Sequence, residues 1–254
     1  MKRNRIRTAI LLAVALCVKG YVMAQHLPDG MQVKARVGYS IGGTTPIPLP
    51  ATIRSIDAFR LTPSLMVGAD AWLPVGRQWG VSAGLRVENK AMDADATVKG
   101  YHMEMVQGTT QLEGIFTGQV CQKVKQWMLT VPVQATWQPG RKVTLKAGPY
   151  VSLLFSRGFN GIASDGYLRQ GDPTGPRVTI GNDKNTRATY DFHGDMRRVQ
   201  LGVGAGVDWQ CWQDFGLSAD LNWGLTGIFP GSFKTVEQAL YPVYGTVGVF
   251  YRIK

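Results

Sequence analysis

Apolar side chains recur at every second position of this chain, in eight separate segments of roughly ten residues each. A period of two is the signature of a strand with one apolar face. Roughly ten residues is also the length of a strand that crosses a bilayer at a tilt. The segments run over 33–41, 65–73, 79–88, 126–137, 143–155, 199–209, 215–225 and 241–253. In the first, Val33, Ala35, Val37, Tyr39 and Ile41 alternate with Lys34, Arg36, Gly38 and Ser40. In the fourth, Trp127, Leu129, Val131, Val133, Ala135 and Trp137 alternate with Gln126, Met128, Thr130, Pro132, Gln134 and Thr136. The connections alternate too. Short turns near 74–78, 138–141 and 211–214 separate long stretches at 43–60, 92–124, 157–196 and 226–240. Short turns at one end and long loops at the other are the asymmetry of an outer-membrane barrel, with the short turns periplasmic.

Whole-chain averages conceal this pattern. Mean hydropathy is −0.07 because each apolar residue of a segment is offset by a polar or small neighbour. The 31 glycines and 13 prolines exclude a coiled coil, and the plentiful aliphatic and aromatic residues exclude a disordered chain.

A soluble eight-stranded barrel also alternates, with its apolar face inward. Two features predict the inverse arrangement. The polar face carries charges of both signs: Lys34, Arg36, Arg86, Lys146 and Arg252 against Asp70, Glu88, Asp208 and Asp220. Opposed charges with intervening glycine suit the filled interior of a small barrel. On the apolar face, aromatics gather at segment ends. Tyr39, Trp127, Phe155, Trp223 and Tyr241 fall at the long-loop end, and Trp79, Trp137, Trp209, Phe215 and Tyr251 at the short-turn end. Ten residues separate Trp127 from Trp137, roughly 33 Å of strand. Tilted by about 40°, that strand rises roughly 25 Å, the height of a lipid-facing band.

Residues 1–24 read as a secretory signal. Lys2, Arg3, Arg5 and Arg7 precede the apolar run Ala9 to Val18, and Val22-Met23-Ala24 suits cleavage before Gln25. Ten apolar residues are half of the roughly 20 needed for a spanning helix. A lipoprotein reading centred on Cys17 suffers from the bulky Leu16 before it. The formal charge of +11 falls to +6 without the five basic residues of this segment. Cys121 and Cys211 then remain, too few for a disulfide framework and placed at opposite ends of the barrel.

Three further stretches point to a family. They are Gly42-Gly43-Thr44-Thr45-Pro46-Ile47-Pro48-Leu49-Pro50 running into Ile53-Arg54, Gly84-Leu85-Arg86-Val87-Glu88-Asn89-Lys90, and Gly166 through Gly175. With them the chain resembles the PorT-like outer-membrane β-barrel proteins of the Bacteroidota over essentially its whole length after the signal. The resemblance implies an integral outer-membrane barrel. One branch, PorT itself, serves the type IX secretion system. It carries over no catalytic motif. Thr246, Gly248, Tyr251 and Ile253 also match the last-strand pattern of proteins inserted by the barrel-assembly machinery, although Lys254 follows where a final aromatic is usual.

Candidate chemistry is sparse. Gly202, Gly204 and Gly206 are spaced by two with no helix following, which is not a phosphate cradle. They read as inward glycines that relieve crowding opposite Tyr150, Tyr244 or Phe250. Asp191, His193 and Asp195 share a long loop, with His102 in another. An Asp–His pair activates water in some barrel proteases, but no serine stands in a nucleophile motif here. No metal or cofactor spacing is found. Arg157, Arg169, Arg177, Lys184, Arg187, Arg197 and Arg198 accompany Asp165, Asp172, Asp183, Asp191 and Asp195. They read as a solvated, self-paired loop, with lipopolysaccharide phosphates as the alternative partner. Segment 46–60 is apolar for a loop, which predicts folding over or into the barrel mouth or docking of a partner protein. The stretch Val98 to Val124 predicts a ribbon extending two strands beyond the membrane; an extra hairpin there would make ten strands.

The expected architecture is an all-β, eight-stranded, antiparallel up-and-down transmembrane barrel over 25–254, in the outer membrane of a Gram-negative bacterium, with periplasmic termini and long extracellular loops. Its interior is expected to be charge-filled and closed. Its partners would be outer-membrane lipid and lipopolysaccharide, the barrel-assembly machinery during insertion, and a protein at the loops, with no nucleic acid. The expected role is anchoring, assembly or partner interaction, without catalysis or cofactor; a small porin-like pore is the alternative.

Overall fold

The computed structural model describes residues 30–60, 62–233, 235 and 239–253. The signal segment and its cleavage site lie outside the described residues. Eleven strands follow in order: β1 (Gln32–Pro46), β2 (Ile53–Arg60), β3 (Leu65–Pro74), β4 (Trp79–Gln107), β5 (Thr110–Trp137), β6 (Val143–Gln170), β7 (Arg177–Ile180), β8 (Ala188–Asp191), β9 (Val199–Trp212), β10 (Phe215–Gly224) and β11 (Leu240–Arg252). Among the described residues the only helix is a single 3₁₀ turn, His193–Asp195.

Eight of these strands close a ring in the order β1, β3, β4, β5, β6, β9, β10, β11, every pair antiparallel. Each contains one of the eight alternating segments. Closure pairs Lys34 with Arg252 and Tyr39 with Val247, which leaves the membrane-spanning part without an edge. The even-numbered residues of β1 point inward and the odd-numbered ones outward, as a pleat requires.

Three strands are far longer than a membrane crossing. β4 and β5, of 29 and 28 residues, form one continuous ribbon closed at Gly108-Thr109, where Gly108 takes φ +61°. The ribbon reading of 98–124 therefore holds, and the ten-strand alternative does not. β6 continues to Gln170, so the loop expected over 157–196 is half strand, with β7 and β8 pairing back onto β6. Within 43–60, β2 pairs with the upper part of β4. It occupies the same column as β3, which pairs with the lower part.

The side-chain pattern inverts where these strands leave the bilayer. On β5 even positions face inward throughout. Below the level of Trp127 they are mostly polar (Thr130, Gln134, Thr136); above it they include buried Leu112, Phe116, Val120 and Val124, with Gly114, Gly118, Gln122 and Gln126 between or beside them. Odd positions change the opposite way, from Lys123 and Lys125 to Trp127, Leu129 and Val131. On β4 the change falls between inward Lys90 and Met92, and Lys90 is registered with Gln126. Both strands thus mark the same membrane boundary. Above it a separate apolar core forms inside the extended walls, from Met92, Met103, Met105, Phe116, Phe159, Leu168, Ile180, Phe192, Ile228 and their neighbours.

Candidate functional site

Within the membrane, the inward charges meet across the lumen. Asp208 on β9 accepts from Arg36 Nη1 (2.9 Å) and Lys34 Nζ (3.2 Å) and forms an ion pair with Lys146 Nζ at 2.9 Å. Arg36 also pairs with Asp70. Asp70 in turn holds Arg86 at 3.0 Å, and Lys146 reaches Asp220 at 2.8 Å. Seven ionic side chains from β1, β3, β4, β6, β9 and β10 therefore form one buried network. Lys34 lies over the Phe250 ring at 4.8 Å, so an aromatic face as well as the Asp208 carboxylate meets the ammonium.

A second layer lies above it. Glu88 pairs with Lys90 at 2.9 Å and accepts from Thr130 Oγ1 at 2.9 Å. Lys90 Nζ stands 5.6 Å from the Tyr150 ring centroid and 5.5 Å from that of Tyr244. Glycine supplies the room: a Cβ at Gly202 would come within 2.4 Å of the Tyr150 ring, and one at Gly216 within 2.2 Å of Phe250. Gly206 faces Asp220 and Lys146. All nine charged residues named from the sequence point inward, but Arg252 stands apart from the ionic network. It bonds the Gln210 side chain instead of a carboxylate, near the short-turn mouth. Lys90 and the inward Trp72, whose Nε1 donates to Thr136 Oγ1 at 2.7 Å, were not singled out from sequence. The even-numbered parity of their strands marks both.

The lipid-facing aromatics form two belts. Trp79 stacks on Trp137 at 6.2 Å, and Phe215 packs on Tyr251 at 4.8 Å, at the short-turn end. Trp127 meets Phe155 at 6.4 Å at the other. Trp209 and Trp223 are exposed to the surroundings of the barrel. Tyr39 donates its hydroxyl to the Thr62 carbonyl (3.2 Å).

Above the charged layers lies an apolar cavity of about 400 Å³. It is lined by Met92, Ala96, Val98, Met103, Phe159 and Phe192 from inside, and by Gly43, Leu49, Ile53 and Phe59 at its outer margin. Segment 46–60, expected to fold over or into the barrel mouth, instead extends the wall beside β4 through its strand β2 and forms one edge of this cavity.

Residues 23–230 match the family described as outer membrane protein beta-barrel domain. The chain belongs to this family. No curated protein matches the chain. Among solved structures it is similar to Ail, the attachment invasion locus protein of Yersinia pestis, crystallised with the heparin analogue sucrose octasulfate (10% identity, 87% of this chain and 97% of that one, TM-score 0.36). It is also similar to Neisserial surface protein A (12%, 88% and 97%, TM-score 0.35) and to OprG of Pseudomonas aeruginosa (10%, 88% and 95%, TM-score 0.33). An outer membrane protein beta-barrel domain places the chain in a Gram-negative outer membrane.

The extracellular end of this outer-membrane barrel spends its charges differently from expectation. The arginines of 157–198 do not form a self-paired ionic loop. Arg157 donates to the carbonyls of Gly194 and Met196, Arg169 to that of Gly175 and Arg197 to that of Phe229. Arg177 stacks over Tyr167 at 4.2 Å. The segment has a packed core to cover, and backbone carbonyls at its turns need donors. His193 Nδ1 lies 2.8 Å from Asp191 on the exposed 3₁₀ turn, and His102 lies 3.7 Å from Glu113 on the ribbon. Asp93, Asp95 and Cys121 converge on the outer face of β4 and β5. Arg60 and Lys123 already neutralise the two carboxylates. Burial, then the hydrogen bond to Asp95, pushes the Cys121 thiol up to about 11. Cys121 and Cys211 are both free.

Proposed function

We propose that this barrel is a closed outer-membrane platform that acts in anchoring, assembly or partner interaction through its extracellular end, and that it is neither an enzyme nor a channel. The observation that carries the reading is the ionic network across the lumen. An ion passing through would have to displace salt bridges among side chains that are almost fully buried, and removing one partner of such a pair costs about 3–5 kcal/mol. The ribbon of β4 and β5 supplies an exposed surface for a protein partner. Arg54, Lys99 and Arg177 around an outer hollow supply cations for lipopolysaccharide phosphates. The PorT-like resemblance makes a secretion-linked role in the Bacteroidota the finer form of this reading.

Planar-bilayer recording from the purified barrel tests it. The expected trace is silent at all voltages that the membrane tolerates. A stable, reproducible ion current would overturn the closed barrel in favour of a small pore. For partner identity, photo-cross-linking in whole cells from the ribbon tip at Thr109 gives a defined adduct if a protein docks there.

A further inference from the structure

Among the described residues the barrel wall is interrupted between β1 and β2. β1 and β2 are consecutive strands joined by a six-residue turn, yet among the described residues they do not pair with each other. β1 pairs with β3 up to Tyr39–Leu65, and the Ser40 N–H donates one further bond to the Ser64 carbonyl at 2.7 Å. Above that point its residues 42–46 pair with β11 alone, while β2 turns away to pair with β4. The two strands splay and leave a slot. The Thr44 N–H donates to the Met92 sulfur at 3.3 Å. Gly43 stands at the slot edge, where a Cβ would meet the Met92 sulfur at 2.9 Å and the Phe59 ring at 3.4 Å.

The apolar cavity lies directly behind this slot. No charged side chain lines it. Lys90, Tyr150 and Tyr244 of the charged layer are not among its lining residues. On the outside the slot begins at Tyr39 of the upper aromatic belt, and Tyr241 of the same belt is registered with Thr45 on its β11 side. The foot of the opening therefore lies at the level of the upper belt, and its β2 edge rises beyond the boundary beside the exposed Arg60–Asp93 and Arg60–Asp95 ion pairs. Leu49, Ile56 and Phe59 at its rim are exposed, which is unfavourable beside water and favourable beside hydrocarbon.

We propose that this cavity is a binding site for a single acyl chain of an outer-leaflet lipid, which enters sideways between β1 and β2. The lining has few polar groups to orient a polar ligand, which fits a hydrocarbon chain. The size fits as well. A methylene takes up about the volume of a water in the liquid, ~30 Å³, so about 400 Å³ holds roughly a dozen. The lipid headgroup stays outside at the belt, near Arg60, which sits at the lower end of β2 and also pairs with Asp93 and Asp95.

The test uses the full chain in nanodiscs doped with a phospholipid carrying a diazirine at mid-acyl chain, with diazirine-dodecane as the free hydrocarbon in a parallel sample. Peptide mass spectrometry reads the sites of insertion. Phospholipid adducts are expected on Met92, Met103 and Phe159 as well as on the outer face at Leu129 to Val133. Gly43→Leu, which blocks the slot, and Ala96→Phe, which fills the cavity, are each expected to lower the inner adducts at least about fivefold and to leave the outer ones unchanged. Heat-modifiable migration confirms that each variant is folded, and either variant suffices if the other fails to fold. Adducts on the outer face alone, or inner adducts that neither folded variant reduces, would overturn the proposal. Inner labelling by dodecane without inner labelling by phospholipid would also overturn it, in favour of a free hydrocarbon ligand.

Discussion

Removing the Asp208 carboxylate is the sharpest test of the plug. Asp208 holds three cations, but they do not depend on it equally. Arg36 keeps Asp70 and Lys146 keeps Asp220. Among the described residues Lys34 has no second carboxylate; its remaining neighbour is the Phe250 ring. Asp208→Asn therefore strands one buried ammonium and weakens two further pairs, a loss of about 3–5 kcal/mol. Asp220→Asn leaves Lys146 on Asp208, so its cost is expected to be smaller, about 1–3 kcal/mol. Adding Lys34→Met to Asp208→Asn removes the stranded charge and is expected to return at least ~1 kcal/mol, a coupling of the size that contacting residues show. The assay is a urea titration of protein folded into lipid vesicles, followed by the heat-modifiable band and by tryptophan emission. An Asp208→Asn cost below about 1 kcal/mol, with no coupling to Lys34, would mean that water reaches these groups freely. The closed lumen would then be refuted along with it.

The inverted side-chain pattern predicts position-dependent tolerance on a single strand. Val131→Arg puts a charge on the lipid face and is expected to cost about 2–4 kcal/mol. Gln119→Arg on the outward face of the same strand, beyond the boundary, is expected to stay within about 0.5 kcal/mol of the parent; equal costs in the same urea titration would refute the boundary at Trp127. The contacts that tie β2 to β4 are acid-sensitive. Hydrogen bonds from Ser55 and Thr97 hold the Asp57 carboxyl below its ordinary value, and Arg60 does the same for Asp95. Because these folded values lie below the unfolded ones, the stabilisation is complete above about pH 4 and is lost as pH falls through the lowered values. Hydrogen exchange of residues 53–60 should therefore show constant protection from pH 8 to 5 and loss only in stronger acid; loss near pH 6 would point to another group. The Cys121 thiol, pushed up to about 11 by burial and by its Asp95 contact, is expected to react with iodoacetamide at neutral pH far more slowly than exposed Cys211. Mass-spectrometric counting of adducts over time distinguishes the two.

The membrane half of this molecule is legible because lipid is a uniform solvent. It demands an apolar outward face on all eight strands, so Trp127 to Trp137 and Val199 to Trp209 read the same way, and the leftover parity must hold the polar interior. Pairings within that interior follow less directly. Parity places Asp208 and Arg36 on the lumen side, but register and shear decide which carboxylate meets which cation, and Arg252 ends on Gln210. Above the bilayer the rule reverses and the signal weakens. Leu112, Phe116, Val120 and Val124 hold the even parity of Thr130 and Gln134, but water now lies outside and the apolar residues turn in. The alternation is interrupted by glycines and by bulges at Val98/Tyr101 and Thr117/Gln119, so it reads as a polar loop with scattered hydrophobes. The slot between β1 and β2 was the least legible feature. Ile53, Ile56 and Phe59 signal an apolar surface, but nothing local states that β2 pairs with β4 instead of its own hairpin neighbour. That choice goes with the length of β4, which rises past the end of β3 and leaves residues 93–98 for β2 to pair with. The interruption in the wall is thus a consequence of the extracellular extension, and the cavity behind it exists because the same extension carries an apolar core above a charged floor.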